Sequence, residues 1–120
     1  MALSVTAQAS PLATTLVEET AATATMQANV TGSSGSLYMA EVDNTNGTQV
    51  YLKLWDSAAP TLGATAADYV FRIPAGTRRA VPFPGGLAFT NAFSFAVTLN
   101  AAESDTTAAA STTLVRLAVA

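Results

Sequence analysis

The feature that most constrains this chain is a strict two-residue alternation of apolar and polar side chains, repeated in segments along its whole length. Successive side chains of a β-strand point to opposite faces, so such alternation marks a sheet with one face buried. Phe93, Phe95, Val97 and Leu99 alternate with Ser94, Ala96, Thr98 and Asn100. Leu3, Val5, Ala7 and Ala9 alternate with Ser4, Thr6, Gln8 and Ser10, and residues 22–31 follow the same rule. Val50, Leu52 and Leu54 share one face, opposite Tyr51, Lys53 and Trp55. Tyr69, Phe71 and Ile73 form a further inward set, followed by Val81 and Phe83, and Thr113, Val115, Leu117 and Val119 carry the pattern to the end. None of these segments has the three-and-four spacing of a helix. The chain is expected to be all-β.

Turn residues separate the runs. Asn46-Gly47 suits a hairpin turn with positive φ. Pro74-Ala75-Gly76 fits a tight turn, with Pro fixing φ early and Gly at its close. Pro82 and Pro84, ahead of Gly85-Gly86, point to a sheet edge or a sharp crossing, and Gly32-Ser33-Ser34-Gly35 reads as a turn. Short strands at this spacing predict an antiparallel β-sandwich, jelly-roll-like or Ig-like. Pro11 interrupts the first run, so residues 1–21 are read as an N-terminal strand or arm and residues 22–120 as one sandwich domain. Residues 56–68 read as a long loop with one helical turn, and 101–111 as a second loop with too many Ser and Thr for a trusted helix.

Composition limits the chemistry. The 120 residues suffice for one domain. Half are hydrophobic, but 26 are Ala, so bulky core formers must be placed by pattern. The chain has no His and no Cys, which excludes Ser-His and Cys-His nucleophile pairs, Cys/His zinc sites and disulfides. Net charge is −3, and the five cations are Lys53, Arg72, Arg78, Arg79 and Arg116. Arg78 and Arg79 would point to opposite faces of a strand, so no basic patch for nucleic acid is expected. No cation precedes Lys53, so a signal peptide is not expected, and no run of about 18 apolar residues suggests a membrane span. Asn29-Val30-Thr31 and Asn46-Gly47-Thr48 match the glycosylation triplet but are read as chance. The chain is accordingly placed inside a cell, or in a particle assembled there.

Each candidate site has a plainer reading. Glu41 and Asp43 share a strand face and form an acid–base pair if one is buried; otherwise they are a solvated strand end. Asp43-Asn44-Thr45-Asn46-Gly47 has the look of a calcium loop, but Thr45, Gly47 and Leu54 occupy ligand positions, which favours a turn. Neither glycine-rich stretch ends in the Lys-Ser/Thr of a phosphate loop. Lys53 admits a Ser-Lys dyad, but no spacing singles out a serine. Tyr51, Lys53 and Trp55 form either a partner-binding stripe or the filling of a second sheet face. No catalytic residue, cofactor or metal is expected.

The run Glu41-Val42-Asp43-Asn44-Thr45 with Gln49-Val50-Tyr51-Leu52-Lys53-Leu54-Trp55-Asp56 resembles a segment of small virion proteins of tailed bacteriophages. The resemblance continues through Thr61-Leu62-Gly63, Ile73-Pro74-Ala75-Gly76, Phe83-Pro84-Gly85-Gly86-Leu87-Ala88-Phe89, Ala96-Val97-Thr98 and Asp105-Thr106-Thr107, about residues 36 to 110. It implies a β-sandwich that decorates or cements the outer surface of a phage head, or alternatively a tail, baseplate or fibre component. The implied partners are the major capsid protein and further copies of the chain, as a homotrimer, with no nucleic acid and no membrane. The implied location is the virion, after assembly in the host cytoplasm. Leu3, Val5, Leu12, Leu16 and Val17 of the arm, with Trp55, are the expected contact residues.

Overall fold

A computed structural model describes Leu3 and residues 15–120. The described residues form seven strands: β1 (Thr15–Ala22), β2 (Gly35–Asn44), β3 (Val50–Asp56), β4 (Tyr69–Ile73), β5 (Thr77–Phe89), β6 (Phe93–Thr98) and β7 (Thr113–Val119). They build a four-stranded sheet in the order β1-β7-β2-β5 and a three-stranded sheet in the order β4-β3-β6. Every pairing is antiparallel, as expected for a β-sandwich.

The alternating positions supply the core between the sheets. Leu37, Val42, Val115 and Leu117 of the larger sheet meet Val50, Leu52, Leu54, Ile73, Phe95 and Val97 of the smaller one, all buried. Burying a Leu, Val or Phe side chain contributes about 1.5–3 kcal/mol, so this interdigitation dominates the stability. Phe71 and Phe83 close one side of the sandwich edge to face, with ring centroids 6.1 Å apart. At the same seam the Arg79 guanidinium donates to the Arg72 carbonyl at 2.7 Å, tying β5 to β4.

Several local expectations need correction. Residues 15–21, read as part of an N-terminal strand or arm ahead of the sandwich, form most of β1 within its larger sheet, pairing with β7 from Thr15↔Val119 to Ala22↔Thr113. Residues 23–31, read as part of a regular strand, follow the free edge of β6 irregularly. Gln27 and Phe95 exchange both backbone bonds, Val97 donates to Thr23 and Val30 donates to Phe93. Asn29, at φ 55°, interrupts this run. The run thereby covers an edge that would otherwise present open backbone. The expected strand at residues 4–10 lies outside the described residues.

Asn46-Gly47 does not make a positive-φ hairpin; neither residue has positive φ. Side chains hold the β2–β3 connection instead. The Asn44 amide donates to the carbonyls of Thr48 (3.0 Å), Ile73 (3.3 Å) and Pro74 (3.0 Å). Its oxygen accepts from the backbone and side-chain N–H of Asn46, each at 3.0 Å. Asn46 in turn pairs with Ser111 through both of that residue's backbone groups. Two buried asparagines therefore pin three loops together at one end of the sandwich. By contrast, Gly76 closes the 74–76 turn at φ 61°, as its sequence suggests. Pro82 and Pro84 lie in β5, an edge strand, where a missing N–H is tolerated.

Candidate functional site

The two outer faces of the sandwich differ in how they are covered. Outside the smaller sheet, Lys53, Trp55, Ser94, Ala96 and Thr98 are all buried. Loops 57–68 and 100–105 lie over them and accept their polar groups. The Trp55 indole donates to the Thr65 carbonyl at 3.0 Å, and the Lys53 ammonium to the Ala102 carbonyl at 2.7 Å. Ser94 donates to the Ser57 carbonyl at 2.6 Å and accepts from the Asn29 N–H at 2.9 Å. The 57–68 loop contains one turn, closed by Thr65 N–H on the Thr61 carbonyl at 2.8 Å. Gly63, at φ 85°, packs against Thr106 of the neighbouring loop.

Two aspartates hold connections on this side, Asp56 the β5–β6 turn and Asp105 the 100–107 loop. The Asp56 carboxylate accepts from the backbone N–H groups of Thr90 (3.0 Å) and Asn91 (2.9 Å) and from the Thr90 hydroxyl. These bonds, the Thr90 backbone foremost, outweigh burial and hold its pKa below the ordinary carboxylate value. At Asp105 burial pushes the pKa up, but hydrogen bonds from Asn100 and Thr107 prevail and the net shift is downward.

The outer face of β1-β7-β2-β5 is open. Among the described residues no loop is hydrogen-bonded across it, and Leu16 is 60% exposed. Strand register sorts this face into rows. Leu16 lies beside Ala118, Ala118 beside Met39, and Met39 beside Pro82, an apolar row across all four strands. The next row is Glu18, Arg116, Glu41 and Ala80. Arg116 pairs with Glu18 at 2.7 Å and Glu41 at 3.5 Å. Arg78 reaches Glu41 at 3.2 Å and Asp43 at 3.3 Å from the edge strand. The hydrogen bond to Glu18 first, then the surrounding carboxylates, raise the Arg116 pKa and keep it charged. Charge thus alternates negative, positive, negative from β1 to β2 along this row, with Ala80 in the β5 place and Arg78 beside Asp43 in the row after.

These placements settle the sequence candidates. Glu41 and Asp43 share a face as expected, but arginines neutralise both. The calcium-loop reading fails because Asp43 faces Arg78 while Asn44 and Asn46 turn inward and spend their groups on backbone. Lys53 meets a carbonyl rather than a serine. Among the described residues no group of three His, Cys, Asp or Glu could hold a metal ion. Trp55 is corrected as a contact residue: it is 1% exposed and fills the second sheet face. Val17 is half-buried and packs against the core. Leu16 and Leu3 are exposed, at 60% and 87%, and Val5 and Leu12 lie outside the described residues. Met39, Leu114 and Ala118 were missed, although each shares strand parity with a charged neighbour, Glu41 or Arg116, that marks the outward side.

A half-open hollow of about 180 Å³ lies at the end of the sandwich between Val17, Val30, Phe89 and Val119. A shallower cleft by Thr48, Gln49, Arg72 and Asn100 contains no acid–base or nucleophile–base pair. No family model, no curated protein and no solved structure matches this chain.

Proposed function

We propose that this chain is a non-enzymatic structural component of a virus particle, a decoration or cement protein on the outer head of a tailed phage. It acts by adding buried interface at the junctions of the capsid lattice. The observation that carries the reading is the inequality of the two faces. The chain spends its own loops on covering β3 and β6 of one sheet and, among the described residues, leaves the other open, with an apolar row and a paired charge row. An apolar row with exposed ends at Leu16 and Pro82, beside a row of paired charges, is the composition of an association surface. The resemblance of residues 36–110 to phage virion proteins supplies the particle.

In this reading the residues before β1, with Leu3 exposed, attach to the major capsid protein by strand addition, and the open face joins copies of the chain. Repetition over the lattice raises avidity without strong single contacts. Sedimentation of the purified chain with emptied heads tests this. The expected result is co-sedimentation that saturates at a fixed ratio to capsid subunits and is lost when residues 1–14 are deleted. Binding to tails with none to heads would move the chain to the tail or fibre class. Binding to neither would refute the virion role.

A further inference from the structure

We infer that the open face of β1-β7-β2-β5 is covered by a second copy of the same chain, stacked face to face about a two-fold axis parallel to the strands. The inference rests on reading that face as an association surface, but not on the virion role. The order of side chains along the rows points to this arrangement. Such an axis, between β7 and β2, lays β1 over β5 of the second copy and β7 over β2, without shifting any residue along the strands. The row Glu18, Arg116, Glu41 and Ala80 then meets its own reverse. Arg116 faces Glu41 of the second copy, twice by symmetry, while Glu18 comes over Ala80 and Arg78 lies one row further along. The apolar row also meets itself, Leu16 over Pro82 and Ala118 over Met39. A two-fold interface must be self-complementary in this way. Asp43 meets Leu114 of the copy, but its own Arg78, 3.3 Å away, already neutralises it. A half-turn about the sheet normal, or a parallel slide, gives no such match.

The size sets the strength. Four strands about 4.8 Å apart and three outward rows about 7 Å apart give roughly 400 Å² per copy. The total of about 800 Å² is below the roughly 1,200 Å² of a standard stable interface. Association is therefore weak in solution and becomes effective where copies are held close together.

Leu16 and Pro82 of one chain are three strand spacings, about 14 Å, apart, yet the inferred axis brings each against the other across copies. Sedimentation equilibrium up to millimolar concentration on Leu16→Glu, Pro82→Lys and the double variant tests this. Each single variant should weaken dimerisation about tenfold, and the double should recover most of it through Glu–Lys pairs between copies. Trp55 fluorescence confirms folding. Because the chain has no cysteine, a second test places Cys at both positions. A short bis-maleimide should link the Leu16→Cys/Pro82→Cys variant into dimers and leave each single-cysteine variant monomeric.

A double variant no better than the singles, equal cross-linking of the singles, or a trimer would each overturn the inference. So would a chain that stays monomeric, including one whose own residues 1–14 cover the face. Loss of head binding with this rescue intact refutes the virion reading alone; head binding without the rescue refutes the two-fold alone.

Discussion

Replacing Asn44 with Ala removes the hub of the hydrogen-bonded end of the sandwich. Asn44 is 1% exposed, and its amide serves three carbonyls and two N–H groups. A net intramolecular hydrogen bond is worth about 1 kcal/mol, and a buried group left without a partner costs about 1–3 kcal/mol. The Ile73 carbonyl and the Asn46 backbone N–H are the buried partners; water can reach the Thr48 and Pro74 carbonyls once the side chain is gone. Two stranded groups and a small cavity give a loss of about 3 kcal/mol. That is a sizeable part of the roughly 5–15 kcal/mol that stabilises a domain. At about 3–5 °C per kcal/mol for a chain of this size, the melting temperature should fall by about 10–15 °C. Urea unfolding followed by the single tryptophan, Trp55, reads the change directly. Asn44→Asp should do no better, because it keeps the acceptor, loses the donors and sets a charge against three carbonyls. A loss below about 1 kcal/mol for Asn44→Ala would refute the argument that these bonds hold the loops together.

Other outcomes follow from single groups. Asp56 and Asp105 have folded pKa values below the ordinary 3.8, so their stabilisation is complete above that value and is lost as pH falls through the folded values. Asp56→Asn should flatten the acid limb of a stability-against-pH curve, and an unchanged limb contradicts this. Among the described residues the buried Thr113 hydroxyl has no hydrogen-bond partner, so Thr113→Val should leave stability unchanged or raise it by up to about 1 kcal/mol in thermal melts. Lys53 is fully buried on one bond to a carbonyl. Lys53→Met should be neutral or stabilising, whereas Lys53→Ala should cost about 2–4 kcal/mol by opening a cavity, which urea titration separates. A Cβ at Gly35 would run into the Ala120 carbonyl oxygen, so Gly35→Ala should lower the melting temperature by several degrees.

Much of this architecture is legible in the chain. Parity in 50–55, 93–98 and 113–119 assigns every inward side chain of β3, β6 and β7, because a one-residue slip would expose all of them. The prolines of β5 mark it as an edge. What parity cannot say is which outer face is covered. Loops 57–68 and 100–105 are rich in Ala, Ser and Thr and have no periodicity, yet they bury Trp55 and Lys53. Asn46-Gly47 misleads because the buried amides of Asn44 and Asn46, rather than local φ preference, determine that turn. The charge row is invisible before the topology is known: Glu18 and Arg116 are 98 positions apart and meet only because β1 pairs with β7.

The inequality of the two faces is the claim on which the account stands. Carbene footprinting of the dilute chain and of its associated form, read residue by residue, tests it most directly. Leu16, Met39 and Leu114 should take up label in the dilute chain and lose it on association, while Trp55 and Lys53 stay unlabelled throughout. Label on Trp55 in the dilute chain, or protection that falls on loops 57–68 and 100–105 instead, would contradict it.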